Sequence, residues 1–260
     1  MKGEPIIRFA GVEKAFGPKV ICAGVDLDVW EGETLVILGG SGVGKSVLLK
    51  MLIGLIPYDR GSITFRGREV SSMTSEELRL HRRAVAMIFQ ASALFDSLSV
   101  GDNVAYGLHE HHAKELGADE LGERVRWALG RVGLPGIEAM RIADLSGGMK
   151  RRVGLARAIA LRPEVILWDE PTTGLDPINT ARINHLVHAM KDSLHATNVV
   201  VTHDMKSAFE IADRIAMLRG GRVVLEGGKE VFLASKDPHV RGFIDGVAPE
   251  EESVEALLTS

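Results

Sequence analysis

Apolar and polar positions recur with two different periods along this chain. Residues 6–30 read as two β segments. In the second, VDLDVW at 25–30, every other residue is apolar, as in an antiparallel strand with one face on a core and the other in water. TLVILGG at 34–40 is instead a nearly unbroken apolar run, which suits a strand covered on both faces. The period then changes. From about Gly44 to Gly54 the apolar residues Val47, Leu48, Met51, Leu52 and Leu55 form one helical stripe. TSEE at Thr74–Glu77 has the spacing of a capping box and predicts a short helix. VAMIF at 85–89 predicts a second buried strand. From about 91 to 163 the apolar runs stop, and charged, His-rich and Ala-rich helical segments take over. Buried runs return as EVILW at 164–168, NVVVT at 198–202, RIAML at 214–218 and RVVLE at 222–226. A Gly-Gly hairpin signal joins the last two.

Buried strands that alternate with helices imply an α/β fold around a parallel sheet. The pattern predicts one core over residues 1–246, with a small antiparallel β subdomain at its start and a helical subdomain inserted at about 91–163. Residues 247–260 read as a short acidic tail. No run approaches the roughly 18 apolar residues of a membrane span, and the N-terminus has no apolar secretory core. The net charge of −4 shows no basic excess, so nucleic acid is not an expected partner. A single cysteine, Cys22, excludes an internal disulfide framework and fits a packed thiol in a reducing compartment.

Candidate chemistry sits at the ends of the buried runs. GGSGVGKS at 39–46 matches the phosphate-binding pattern G-x(4)-G-K-[ST] through Gly39, Gly44, Lys45 and Ser46. The glycines let the backbone of Gly40, Ser41, Gly42 and Val43 turn tightly and aim N–H groups inward. The following helix, which begins through Val47, adds positive potential. Lys45 reaches β- and γ-phosphates, and Ser46 supplies the hard oxygen that Mg²⁺ prefers. In VILWDEP at 165–171, Asp169 ends a strand where open α/β sheets bind ligands. It provides a carboxylate for Mg²⁺, and Glu170 can accept a proton from an attacking water. Alone this is as well read as an acidic turn; beside the first motif it becomes catalytic. A second, Lys-free cradle occurs in DLSGGMKRRVGLARAIA at 144–160, where Ser146, Gly147 and Gly148 precede an Arg-rich amphipathic helix. HEHH at 109–112 reads as a solvated helix face rather than a metal site.

These motifs, in this order and spacing, resemble those of the ATP-binding cassette (ABC) ATPases over about residues 5–245. The resemblance implies a P-loop NTPase that binds ATP and Mg²⁺ and hydrolyses ATP. It places Gln90 of IFQASALF as the Q-loop glutamine that senses Mg²⁺ and the membrane partner, and Asp176 of GLD in the D-loop. It makes His203 of VVVTHD the switch histidine on the γ-phosphate, and Phe16 of KAFG the adenine-stacking ring. It also explains the second cradle: two cassettes pair head to tail, and each LSGG covers the nucleotide on the other.

The segment between Gln90 and Leu145 is short, without coiled-coil heptads; a single cassette is present, with no fused membrane segment. A stand-alone cassette served by a separate integral membrane permease is the simplest reading. FQASALFDSLSVGDNVAY at 89–106, LSGGMKRRVGLARAIA at 145–160 with its Met149, and DPHVRGFIDG at 237–246 are similar to the Mla/Mce-type phospholipid transport ATPases. That resemblance implies a homodimer on the cytoplasmic face of the inner membrane. Its partners would be the permease, a substrate-binding protein with an MCE domain and, in many bacteria, a small STAS-domain protein. The alternatives are the ATPase of a small-solute importer and a non-transport ABC ATPase acting on DNA or ribosomes.

Overall fold

The computed structural model describes residues 3–89, 93–112 and 116–246, with His112 described by its backbone alone. The chain opens with β1 (Ile7–Phe16) and β2 (Lys19–Val29), which pair antiparallel around Gly17 at φ 58°. Then come β3 (Thr34–Leu38), α1 (Lys45–Leu52), β4 (Arg60–Phe65) and β5 (Arg68–Glu69). β4 returns to pair with the outer side of β1, so the antiparallel sheet has the order β2-β1-β4-β5. The expected N-terminal sheet is thus larger than the sequence pattern indicates. RGSITF buries fully only Ile63 and Phe65, too few positions to stand out as a strand.

Next are α2 (Ser75–Ala84), the edge strand β6 (Val85–Ile88), and then α3 (Val100–His112), α4 (Ala118–Arg131) and α5 (Gly147–Ile159). The chain finishes with β7 (Val165–Asp169), α6 (Pro177–Leu194), β8 (Thr197–Thr202), α7 (Met205–Ile211), the hairpin β9 (Arg214–Arg219)–β10 (Arg222–Gly227), α8 (Lys229–Ala234) and α9 (Pro238–Asp245). The second sheet has the order β10-β9-β3-β8-β7-β6. It is parallel from β9 to β6, with β10 antiparallel at one edge.

The unbroken apolar runs follow from this sheet being covered on both faces. Val36, Leu38, Ile166, Trp168 and Val200 point to one side, where they pack with α6 and the helices between β6 and β7. Leu35, Ile37, Leu167, Val199 and Val201 point to the other, against α1 and the antiparallel sheet. Asn198 is buried among them, and its Oδ1 accepts the Trp168 indole N–H at 2.9 Å, so neither polar group is orphaned. β6 lies at the sheet edge with Met87 and Ile88 only half-buried, which corrects the expectation of a fully buried strand. Cys22 is fully buried, and burial pushes its thiol up to about 11, consistent with a packed thiol rather than a nucleophile.

The capping box at α2 forms as expected: Glu77 N–H donates to Thr74 Oγ1, and Thr74 N–H donates to Glu77. On the buried side of α2, His81 packs edge-on against Phe65, with one ring nitrogen 2.7 Å from the Leu52 carbonyl. Burial lowers its pKa, and the neighbouring Arg82 charge adds to this. The unfolded chain therefore takes up this proton more readily than the native protein, and the contribution of neutral His81 to stability is lost as pH falls through about 6.5. The melting temperature of the wild type is expected to drop between pH 7.5 and 5.5 by more than that of His81→Gln, measured by circular dichroism; equal drops would refute it.

Candidate nucleotide site

β8 lies between β3 and β7 in the sheet, so the loops that leave the ends of these three parallel strands converge. The loop after β3 carries the first cradle, β7 ends on Asp169, and β8 leads directly into His203. Two positions in the first loop require glycine. At Gly44, φ is 107° and an added Cβ would lie 2.7 Å from Ile21 Cγ2. At Gly39, it would lie 2.6 Å from the Leu218 carbonyl oxygen. The turn therefore closes tightly against β2 and β9 before α1 begins.

Lys45 is 5 % exposed at the head of α1. Its ammonium donates to the carbonyls of Gly39 at 2.8 Å and Gly40 at 2.9 Å, and lies 3.2 Å from Glu170 Oε1. Ser46 Oγ donates to Asp169 Oδ1 at 2.5 Å, joining the first helical turn to the end of β7. Glu170 adopts a left-handed backbone (φ 49°), unusual for a residue other than glycine, and its N–H donates to the Val201 carbonyl. Its Oε2 accepts from Thr173 Oγ1 at 2.9 Å and lies 2.8 Å from His203 Nδ1. A cleft of about 300 Å³ opens over this cluster, lined by Ile21, Ser41, Gly42, Gly44, Lys45, Ser46, Val47, Glu170, Thr173 and His203. Ile21 and Thr173 are not singled out by sequence. Ile21 sits in an ordinary strand pattern, and the only signal for Thr173 is a hydroxyl three residues after Glu170.

The remaining candidates lie elsewhere. Val43 packs against the apolar core behind the loop. Phe16 is half-exposed at the end of β1 with the Lys14 ammonium 5.2 Å from its ring centroid, and it does not line the cleft. Gln90 is outside the described residues. Asp176 caps α6, accepting the N–H groups of Ile178 and Asn179 at 3.0 Å. The Asn179 bond is the main cause holding its carboxyl below the usual range. Ser146 caps α5 by accepting the Met149 N–H at 3.3 Å. Among the described residues, none of Ser146, Gly147 and Gly148 lines the cleft. A Cβ at Gly147 would meet nothing within 4 Å, and one at Gly148 only Asn179 at 3.6 Å. Neither glycine is demanded by this chain's own packing or by a positive φ. Met149 is half-buried against the core that holds the helices between β6 and β7, an apolar position in the first turn of α5. Within 109–112, His109 is exposed and His111 approaches Arg79. Among the described residues, no group of three or more His, Cys, Asp or Glu side chains is placed to hold a metal.

A glycine-rich strand–helix turn ending in Lys-Ser, faced by an acidic pair at the end of the parallel strand β7, defines a P-loop nucleoside triphosphatase. Residues 22–173 match the family model described as ABC transporter. The chain is 40% identical over 232 residues to "Intermembrane phospholipid transport system ATP-binding protein MlaF" of Escherichia coli K12, covering 89% of this chain and 86% of that protein. It is 41% identical over 240 residues to "Probable ribonucleotide transport ATP-binding protein mkl" of Mycobacterium leprae, covering 92% of this chain and 69% of the relative. Among solved structures, a subunit of the ABC transporter complex cbiONQ from Clostridium perfringens superposes with a TM-score of 0.82 at 28% identity, covering 99% of this chain and 100% of that one. A dimeric ATP-binding cassette in a post-hydrolysis state, bound to ADP and Pi, superposes with a TM-score of 0.77 at 29% identity, covering 85% and 98%. The chain belongs to the ABC transporter family and is an ATPase. No helix among its described residues is long and apolar enough to cross a membrane.

Proposed function

We propose that this chain is the ATP-hydrolysing subunit of a transporter that moves phospholipid between inner and outer membrane. It acts as a homodimer held peripherally on the cytoplasmic face of the inner membrane by an integral membrane permease. The cargo reading is carried by the 40% identity to proteins named for intermembrane phospholipid transport, over most of both chains. An MCE-domain protein and a STAS-domain protein complete the proposed assembly. The mycobacterial relatives are named for ribonucleotide transport, which gives the small-solute reading a specific observation of its own.

The site residues divide the chemistry as follows. Lys45 and the N–H groups of residues 39–47 neutralise the triphosphate, which is the main catalytic contribution in phosphoryl transfer. Ser46 and Asp169 present two adjacent oxygens of the kind Mg²⁺ takes, and Gln90 is assigned to the same ion. When bound, the ion would supply charge stabilisation at the β- and γ-phosphates. Glu170, fixed by Thr173 and His203, accepts the proton of the attacking water, and His203 contacts the γ-phosphate. Phe16 stacks on the adenine, a contribution of about 1–3 kcal/mol by analogy with base–aromatic stacking. Ser146, Gly147 and Gly148, together with Asp176, act on the partner's nucleotide. The open space at Gly147 supports an external ligand for this cradle.

Affinity purification from detergent-solubilised membranes, followed by mass spectrometry of proteins and lipids, tests the assignment. A permease with an MCE-domain protein and bound phospholipid is the expected result. A solute-binding protein in its place would favour the importer, and recovery without any membrane protein would overturn both.

A further inference from the structure

The geometry points to Arg151 as a positioning residue that couples the second cradle to the general base; this rests on the reading of Glu170 given above. Arg151 lies five residues after Ser146, in the second turn of α5, and so moves as one body with the cradle at that helix's N-terminus. Its half-buried guanidinium donates from Nη1 to the Pro171 carbonyl at 3.0 Å and from Nη2 to the Thr173 carbonyl at 2.6 Å. Those two carbonyls flank Thr172, in the loop that leaves β7 directly after Glu170. A rigid planar fork fixes both at once, which a lysine ammonium does not do.

The same loop holds the reactive carboxylate. Thr173 donates its hydroxyl to Glu170 Oε2 at 2.9 Å, the oxygen that also meets His203. Glu170 starts this loop in a left-handed conformation that persists only where neighbouring contacts over-determine it. Between α5 and the carboxylate there are two non-covalent steps, Arg151 to the loop and Thr173 to Glu170. A displacement of α5 on engaging the partner's nucleotide is therefore delivered to the atom that takes the proton. If Arg151 merely satisfied two main-chain carbonyls, its removal would change stability and leave turnover of the folded protein alone.

Steady-state ATP hydrolysis by the full chain separates these roles. Arg151→Ala is expected to lower kcat roughly 10- to 100-fold, as misplacement of a catalytic group by an ångström does, with KM for ATP kept within about twofold. Thr173→Val should give a similar loss. The double variant should be no slower than the worse single one, because both cut the same path. Arg151→Lys keeps the charge without the fork and should fall between wild type and Arg151→Ala; it also serves if the alanine variant does not fold. Wild-type kcat in folded Arg151→Ala or Arg151→Lys, or losses that multiply in the double variant, would overturn the proposal. Glu170→Gln in the same assay keeps the two ideas apart. Hydrolysis at wild-type rate by that variant overturns the Glu170 reading. An inactive Glu170→Gln beside a fully active Arg151→Ala overturns the role of Arg151 alone.

Discussion

Replacing Lys45 with alanine is expected to abolish ATP hydrolysis while leaving the fold in place. The Lys45 ammonium is buried at the floor of the cleft, with two carbonyls at 2.8 and 2.9 Å and a carboxylate at 3.2 Å around it. Among the described residues that line this cleft, it is the one lysine or arginine. A triphosphate brought against Glu170 without it would meet like charge at close range, where repulsion is strong. Loss of a single preorganised charge or donor at a developing negative charge costs about 10²- to 10³-fold. A larger deficit is expected here, because ground-state binding of the phosphates also suffers. Lys45 itself lines the cleft, so truncating it opens the space beside the Gly39 and Gly40 carbonyls to water, which can replace the ammonium as their donor, and the melting temperature should shift little. Phosphate release and thermal melts on the same preparation check both halves. Turnover at the wild-type rate would refute the P-loop assignment.

Much of this site is legible in the sequence because its parts are local. The Gly39–Ser46 turn is a contiguous pattern, and Gly39 and Gly44 each have a backbone reason. The core strands are legible for a related reason. A strand covered on both faces must be apolar at every position, and Leu35, Val36, Ile37 and Leu38 all reach 0 % exposure. Burial alone does not report sheet order. VAMIF at 85–89 reads as a buried strand, yet β6 is an edge, and RGSITF is overlooked because half of β4 faces water. The meeting of Ser46 with Asp169, and of Glu170 with His203, depends on β8 lying between β3 and β7, a non-local fact that no spacing contains. Arg151 is invisible for the same reason, since its two hydrogen bonds reach another segment, and Thr173 shows only as a hydroxyl three residues after Glu170. Met149, which follows the second glycine pair, has a partial account in its half-buried apolar packing.

Glu170→Gln should accumulate an ATP-bound dimer that does not turn over. The substitution keeps the volume and leaves an amide able to bond Thr173 and His203, so the cleft and α5 keep their positions. What disappears is the group that takes the proton and the negative charge 3.2 Å from Lys45. Loss of a general base lowers the rate about 10²- to 10⁴-fold. Loss of the charge, if anything, favours the triphosphate. ATP would then hold the two cassettes together longer than hydrolysis normally allows. Size-exclusion chromatography with light scattering should give a dimer with ATP and a monomer with ADP, and a monomer under both conditions would count against the head-to-tail pair. Adding Gly147→Asp to this variant reads the interface itself. A Cβ at Gly147 meets nothing within 4 Å beyond its own turn of helix, and an acidic residue suits the first turn of α5, so the change should leave the monomer's melting temperature close to that of Glu170→Gln. It places a carboxylate where the partner's γ-phosphate is proposed to sit, and like charges at close range repel. The dimer should therefore be lost with the fold intact, an outcome that a cradle serving only its own chain would not produce.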